Sequence, residues 1–217
     1  MINKKIAVIE QYASWRGHYI DYVSNVFNDF NCKKDLYVSH IPKDEIRELI
    51  FNNIYASISK KTDTAYSPSG IKYMLSRVLL SLSVLFLFIF KNKKSEYDTV
   101  FFIEIEPVML SLLNLFVTDC FWKKAVITIH SADYSEKYKD PSLLKNLYKK
   151  FGKKVVIKLF SKGSNFICHS EWHYNELIKQ LNLSKDKQGQ LKWFEYPTKD
   201  ISLDDGYIDN FNKKFNF

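Results

Sequence analysis

Three short stretches carry side chains that could do chemistry. His130-Ser131, with Asp133 close behind, ends the apolar run Lys124–His130. A histidine there can exchange a proton near neutral pH or make a polar contact to a ligand. Its plainer reading is a structural histidine. Glu104-Ile105-Glu106 stands just before Pro107. Carboxylates two residues apart point the same way in extended chain. They suit binding of a substrate hydroxyl or base catalysis, or, more plainly, a solvated rim with a carboxylate at a helix start. The third stretch is Arg16-Gly17-His18, after the apolar run Ile6–Ile9. Arginine pairs with phosphate, and glycine lets a backbone N–H approach an anion. Farther on, Ser170 and Glu171 read as an N-cap and a first-turn carboxylate.

Alternating strands and helices must position these groups. Lys5–Asn28 reads as strand, glycine-bearing loop and helix, with Tyr19, Tyr22, Val23, Val26, Phe27 and Phe30 on one face. Lys34–Ser39 and Ile54–Ser59 read as strands, with a short helix over Lys43–Asn53 between them. Lys60–Gly70 reads as a polar loop. Tyr97–Glu104, Lys124–His130, Asn165–His169 and Lys192–Tyr196 complete the strands. Helices are predicted from Pro107 to about Phe116, over Pro141–Phe151 and Lys153–Ser161, and from Ser170 to about Leu181. The fold class is therefore α/β, a Rossmann-like doubly wound and mainly parallel sheet with helices on both faces. Residues 1–197 form the domain, and residues 198–217 are a polar tail or the start of a linker. The loops at the strands' carboxyl ends are the expected ligand side.

The chain has 217 residues and a formal net charge of +8. That balance favours an anionic partner, or reflects only lysine-rich coding. The three cysteines are far apart and read as free thiols in a reducing compartment, with no disulfide or zinc spacing. No metal set is visible. MINKKIAVIE reads as a first strand rather than a signal peptide. Val78–Phe90 carries no charge, but a span needs about 20 apolar residues. A buried helix is the plain reading, and an interfacial helix the alternative. Lys145, Lys149, Lys150, Lys153, Lys154, Lys158 and Lys162 form a basic patch, either a solvated face or a contact to an anionic membrane. Nucleic acid is disfavoured as that partner, because the aromatics are not spaced as a stacking platform and no binding motif is present, and there is no GxGxxG, P-loop or nucleophile motif.

Four local matches resemble the N-terminal domain of GT-B glycosyltransferases, especially the family 4-like group. They are Arg16-Gly17-His18-Tyr19, Tyr97-Asp98-Thr99-Val100, Thr128-Ile129-His130-Ser131, and Ser164-Asn165 through His169-Ser170-Glu171 with Tyr196-Pro197. Two departures stand out. The family often has paired glycines where Arg16-Gly17 stands. Its C-terminal domain, with the nucleotide pocket and a glutamate pair, has no counterpart; Glu96 and Glu104 match that spacing by chance.

The resemblance implies an acceptor-binding half-enzyme completed by a donor-binding domain or subunit. In it, Gly17 with Arg16 would approach the diphosphate of a nucleotide-sugar donor substrate, with no separate cofactor. His130 would be the catalytic-side contact to the sugar. His18, Glu104, Glu106 and Glu171 would face a lipid-linked glycan acceptor. The expected place is cytoplasmic, peripheral on the inner face of the plasma membrane, in surface polysaccharide synthesis. The competing reading is a non-enzymatic module of Rossmann-like fold that docks to a membrane or a subunit.

Overall fold

Lys5–Glu10 (β1) is buried on both faces because its apolar side chains alternate between two cores. Ala7 and Ile9 enter one, and Ile6 and Val8 the other. The same logic produces β2 (Lys33–His40), β4 (Thr99–Phe102), β5 (Ala125–Thr128) and β6 (Asn165–Cys168). The edges are β3 (Asn53–Ile58) and β7 (Leu191–Trp193). All neighbours pair in parallel, in the order β3-β2-β1-β4-β5-β6-β7. The computed structural model describes residues 4–12, 19–28, 30–40, 51–58, 70–92, 97–104, 106–130, 134 and 142–195.

Parallel neighbours require crossovers, and the crossovers supply the two helical layers. The first helix, α1 (Tyr19–Phe27), packs Tyr22, Val23 and Phe27 on one face of the sheet. The other face carries α2 (Gly70–Asn92), α3 (Pro107–Leu113), α4 (Asp119–Lys123), α5 (Leu143–Ser161) and α6 (Glu171–Leu181). A short α7 (Lys185–Gln188) precedes β7. The chain is thus the expected α/β, Rossmann-like doubly wound domain, and its sheet is parallel throughout. No helix among the described residues is long and apolar enough to cross a membrane.

Several boundaries differ from expectation. Asn53 opens β3 rather than closing a helix, because it aligns with Asp35 of β2; residues 41–50 lie outside the described set. The predicted strand Tyr97–Glu104 shortens to four residues, since the chain bends at Ile103 and Glu104. The two helices predicted on either side of Gly152 are one, α5. A Cβ at Gly152 would sit 3.1 Å from Pro107 Cγ, so this glycine lets α5 approach α3 rather than ending it. The short helices α4 and α7 were not expected. The tail 198–217 lies outside the described residues.

Candidate functional site

The strand order reverses between β1 and β4, and a crevice at the carboxyl ends there is where open α/β sheets take ligands. β1 runs out into Glu10, Gln11 and Tyr12, all buried. β4 runs out into Ile103, whose N–H donates to Ile9 O at 3.1 Å and keeps this segment beside β1. Glu104 follows, and then Glu106 ahead of α3.

Arg77, from α2, ties this edge together. Its Nη2 lies 3.1 Å from Glu104 Oε1, and its Nε lies 3.2 Å from Glu106 Oε2. Tyr12 OH donates to the same Glu106 oxygen at 3.0 Å and lies 3.1 Å from Ser81 Oγ. The guanidinium also sits over the Tyr12 ring, 4.8 Å from its centroid. Gln11 Nε2 donates to Glu104 O at 3.4 Å, and Glu10 Oε1 accepts from Tyr12 N–H at 2.8 Å. Three buried oxygens, Glu10 Oε2, Gln11 Oε1 and Glu106 Oε1, have no hydrogen-bond partner among the described residues. Leaving a buried polar group unmatched costs about 1–3 kcal/mol.

Burial dominates the electrostatics. It pushes Glu10 up to about 8, and the charge of Glu104 pushes the same way; the Tyr12 N–H and Arg77 pull back. At neutral pH Glu10 is therefore mostly protonated, with a hydroxyl to donate as well as oxygens that accept. Burial also raises Glu106, against the pull of Arg77 and Tyr12. Glu104 and Arg77 are the more exposed members, forming a rim over this floor.

Beside the rim stands an aromatic triangle. The His130 and His169 ring centroids are 5.0 Å apart, and Tyr22 lies 5.5 Å from His130 and 5.2 Å from His169. His130 Nε2 donates to Ile103 O at 2.6 Å and lies 3.8 Å from Glu104 Oε2. That bond places a proton on Nε2. His169 is pushed down to about 3 by burial and by the neighbouring His130 and His173, so it is neutral. Among the described residues no group of three or more His, Cys, Asp or Glu could hold a metal.

The structure thus brings His130, Glu104 and Glu106 together. Glu104 and Glu106 share Arg77 although the strand ends at Phe102, so their common direction comes from the guanidinium and not from a pleat. Glu171 is not brought in. It lies exposed on the first turn of α6, where Ser170 Oγ caps the helix by accepting from His173 N–H at 3.0 Å. Arg16, Gly17 and His18 lie outside the described residues. Sequence reasoning passed over Glu10, Gln11, Tyr12, Arg77 and His169. Two signals were available: polar residues directly after a doubly buried strand, and a histidine just past β6 as His130 stands just past β5.

No protein-family model matches the chain, and no curated protein matches it. Among solved structures it is similar to a dimerization-deficient mutant of Toc33 from Arabidopsis thaliana. The identity is 10%, covering 99% of this chain and 83% of that one, with a TM-score of 0.37. These findings correct the expected kinship with family 4-like glycosyltransferases, and with it sugar transfer in polysaccharide synthesis. Neither a family model nor a curated relative supports it, and Toc33 is among the solved structures to which the chain is similar. The physical reason lies in the matched segments. Tyr97–Val100, Thr128–His130 and Asn165–His169 are the beginnings and ends of β4, β5 and β6. A parallel sheet repeats such pieces whatever its chemistry, so they report topology.

Proposed function

We propose that this domain binds a small, uncharged, hydroxyl-bearing molecule in the β1/β4 crevice. The observation that carries the reading is the set of three buried oxygens at that edge with no partner among the described residues. Such a floor calls for a ligand that both donates, to Gln11 and Glu106, and accepts, from protonated Glu10. Several hydroxyls fit it best, because each can donate to Gln11 or Glu106 and also accept from protonated Glu10. Glu104 and His130 on the rim are the side chains such a ligand meets first. Inorganic phosphate is disfavoured, since Arg77, which reaches into this edge, is already paired with two carboxylates. Calorimetric titration with nucleosides, free monosaccharides, inositol and inorganic phosphate tests this. Saturable binding of a hydroxylated compound, weakened about tenfold or more in Glu104→Gln, is expected. Binding of phosphate alone, or of nothing in the panel, would overturn it.

A second reading concerns place. The net charge of +8 and the lysines along α5 favour peripheral association with an anionic membrane. Binding to vesicles containing phosphatidylglycerol, absent with phosphatidylcholine alone and weakened by salt, is the expected result.

A further inference from the structure

The outer surface of the helical layer is unusually apolar for a face turned to solvent. On α2, Ser81, Val84, Leu85 and Phe88 face the core. Leu75, Leu79, Phe86 and Phe90 form a second stripe on the opposite side of the same helix, 47–69% exposed. A helix at a protein–water boundary ordinarily carries polar residues there. On α5, Leu143, Leu144, Leu147 and Phe151 are exposed in the same way. α3 packs against both α2 and α5, and Leu115 and Phe116, in the turn after it, are also exposed. Ten of the twelve large exposed apolar side chains among the described residues therefore belong to this one layer.

Charge identifies what covers it. Beyond its leucines the outer face of α5 continues as Lys150, Lys154 and Lys158, all exposed. Lys72 is exposed near the start of α2. A second copy of the chain would set these lysines against their own kind. A nucleic acid would match the lysines but leave leucine and phenylalanine in water. An anionic bilayer matches both: acyl chains take the apolar side chains, and lysine stems reach back to the headgroups.

We infer that the outer face of α2, α3 and α5 lies flat on an anionic membrane, with Leu75, Leu79, Phe86 and Phe90 of α2 and Leu143, Leu144 and Leu147 of α5 entering the interface. This rests on the peripheral reading above and names the surface that performs it.

Vesicle flotation of the full chain decides it, using phosphatidylcholine with and without phosphatidylglycerol. Leu79→Asp and Leu147→Asp change side chains more than half exposed, and circular dichroism with thermal melting verifies that both variants fold. Each is expected to weaken binding to anionic vesicles at least about tenfold. The fluorescence of Leu147→Trp is expected to be quenched by acyl-brominated lipid. Wild-type binding that both aspartate variants retain unchanged would overturn the face and leave peripheral binding standing. No binding by the wild type would overturn both. A concentration-dependent dimer in sedimentation velocity, dissociated by Leu147→Asp, would give the face to a second copy and overturn the inference.

Discussion

Arg77 Nε and Glu106 Oε2 are 3.2 Å apart, joining α2 to the segment that leads from β4 into α3. Glu106 is 1% exposed, so its charge depends on this arginine and on the Tyr12 hydroxyl. Removing one partner of a buried pair strands the other, at a cost of several kcal/mol. Because Arg77 is partly exposed, water makes up some of the loss. Arg77→Met is expected to destabilise the domain by about 2–3 kcal/mol. Adding Glu106→Gln removes the stranded charge and should recover at least about 1 kcal/mol, measured by urea unfolding as a double-mutant cycle. Strictly additive losses would mean that the pair is not coupled.

Glu10 makes stability fall in mild base. Its carboxyl is raised from 4.5 to about 8, so the folded state holds the proton more tightly than the unfolded chain. That contribution is fully present below about pH 4.5 and is lost as pH rises to about 8. The full loss is roughly 5 kcal/mol. Glu10→Gln keeps an acceptor for the Tyr12 N–H and carries no charge. It should match the wild type within about 1 kcal/mol at pH 5 and exceed it by a few kcal/mol at pH 8.5. Chemical denaturation at the two pH values measures the difference, and equal slopes for the two proteins would remove Glu10 as the cause.

His169 acts on the opposite limb. Burial and the two neighbouring histidines lower it from 6.5 to about 3. Its contribution is whole above about pH 6.5 and is lost as pH falls towards 3, because only the unfolded chain takes up the proton there. Between about 4.5 and 6.5 the Glu10 and His169 effects oppose each other, and stability should be nearly flat. His169→Asn should remove the loss on the acid side. Unfolding monitored from pH 3.5 to 6.5 tests it; an unchanged acid limb would assign the loss to other groups.

How much of this was legible in the sequence follows from which forces act locally. The strands Ile6–Ile9, Ala125–Thr128 and Asn165–Cys168 were readable because burial on both faces demands unbroken apolar runs. The cap at Ser170 was readable because its chemistry lies within three residues. Gly152 misled because its reason is tertiary: it makes room for Pro107, which no local pattern shows. The site was half visible. Glu104, Glu106 and His130 stand at strand ends, where polar residues invite attention. Arg77 sits inside an apolar helix and gains its meaning only when α2 packs on β2 and β3 and brings it to Tyr12, Glu104 and Glu106. Glu10 and Gln11 looked like the polar end of a strand until packing buried them.

The amino edge of the same sheet shows what a polar cluster looks like when it is only structural. Asp35 Oδ1 accepts from Asn53 Nδ2 at 2.8 Å; its Oδ2 accepts from Tyr97 OH at 2.7 Å and lies 3.0 Å from Lys5 Nζ. Both oxygens are matched, and the partners come from β1, β3 and the approach to β4. This cluster therefore has no call for a ligand, whereas the carboxyl edge keeps three oxygens unmatched among the described residues. Asp35→Ala takes an acceptor from Tyr97 OH, Asn53 Nδ2 and Lys5; Tyr97 keeps the Tyr37 hydroxyl at 2.8 Å and Lys5 is partly exposed, so the fold should lose about 2 kcal/mol. At a temperature where the variant remains folded, its affinity for a crevice ligand should equal that of the wild type. Glu104→Gln should show the reverse, a small change in melting temperature with weakened binding. If Asp35→Ala lost affinity while folded, the two edges would be coupled, and the division between a structural and a binding edge would fail.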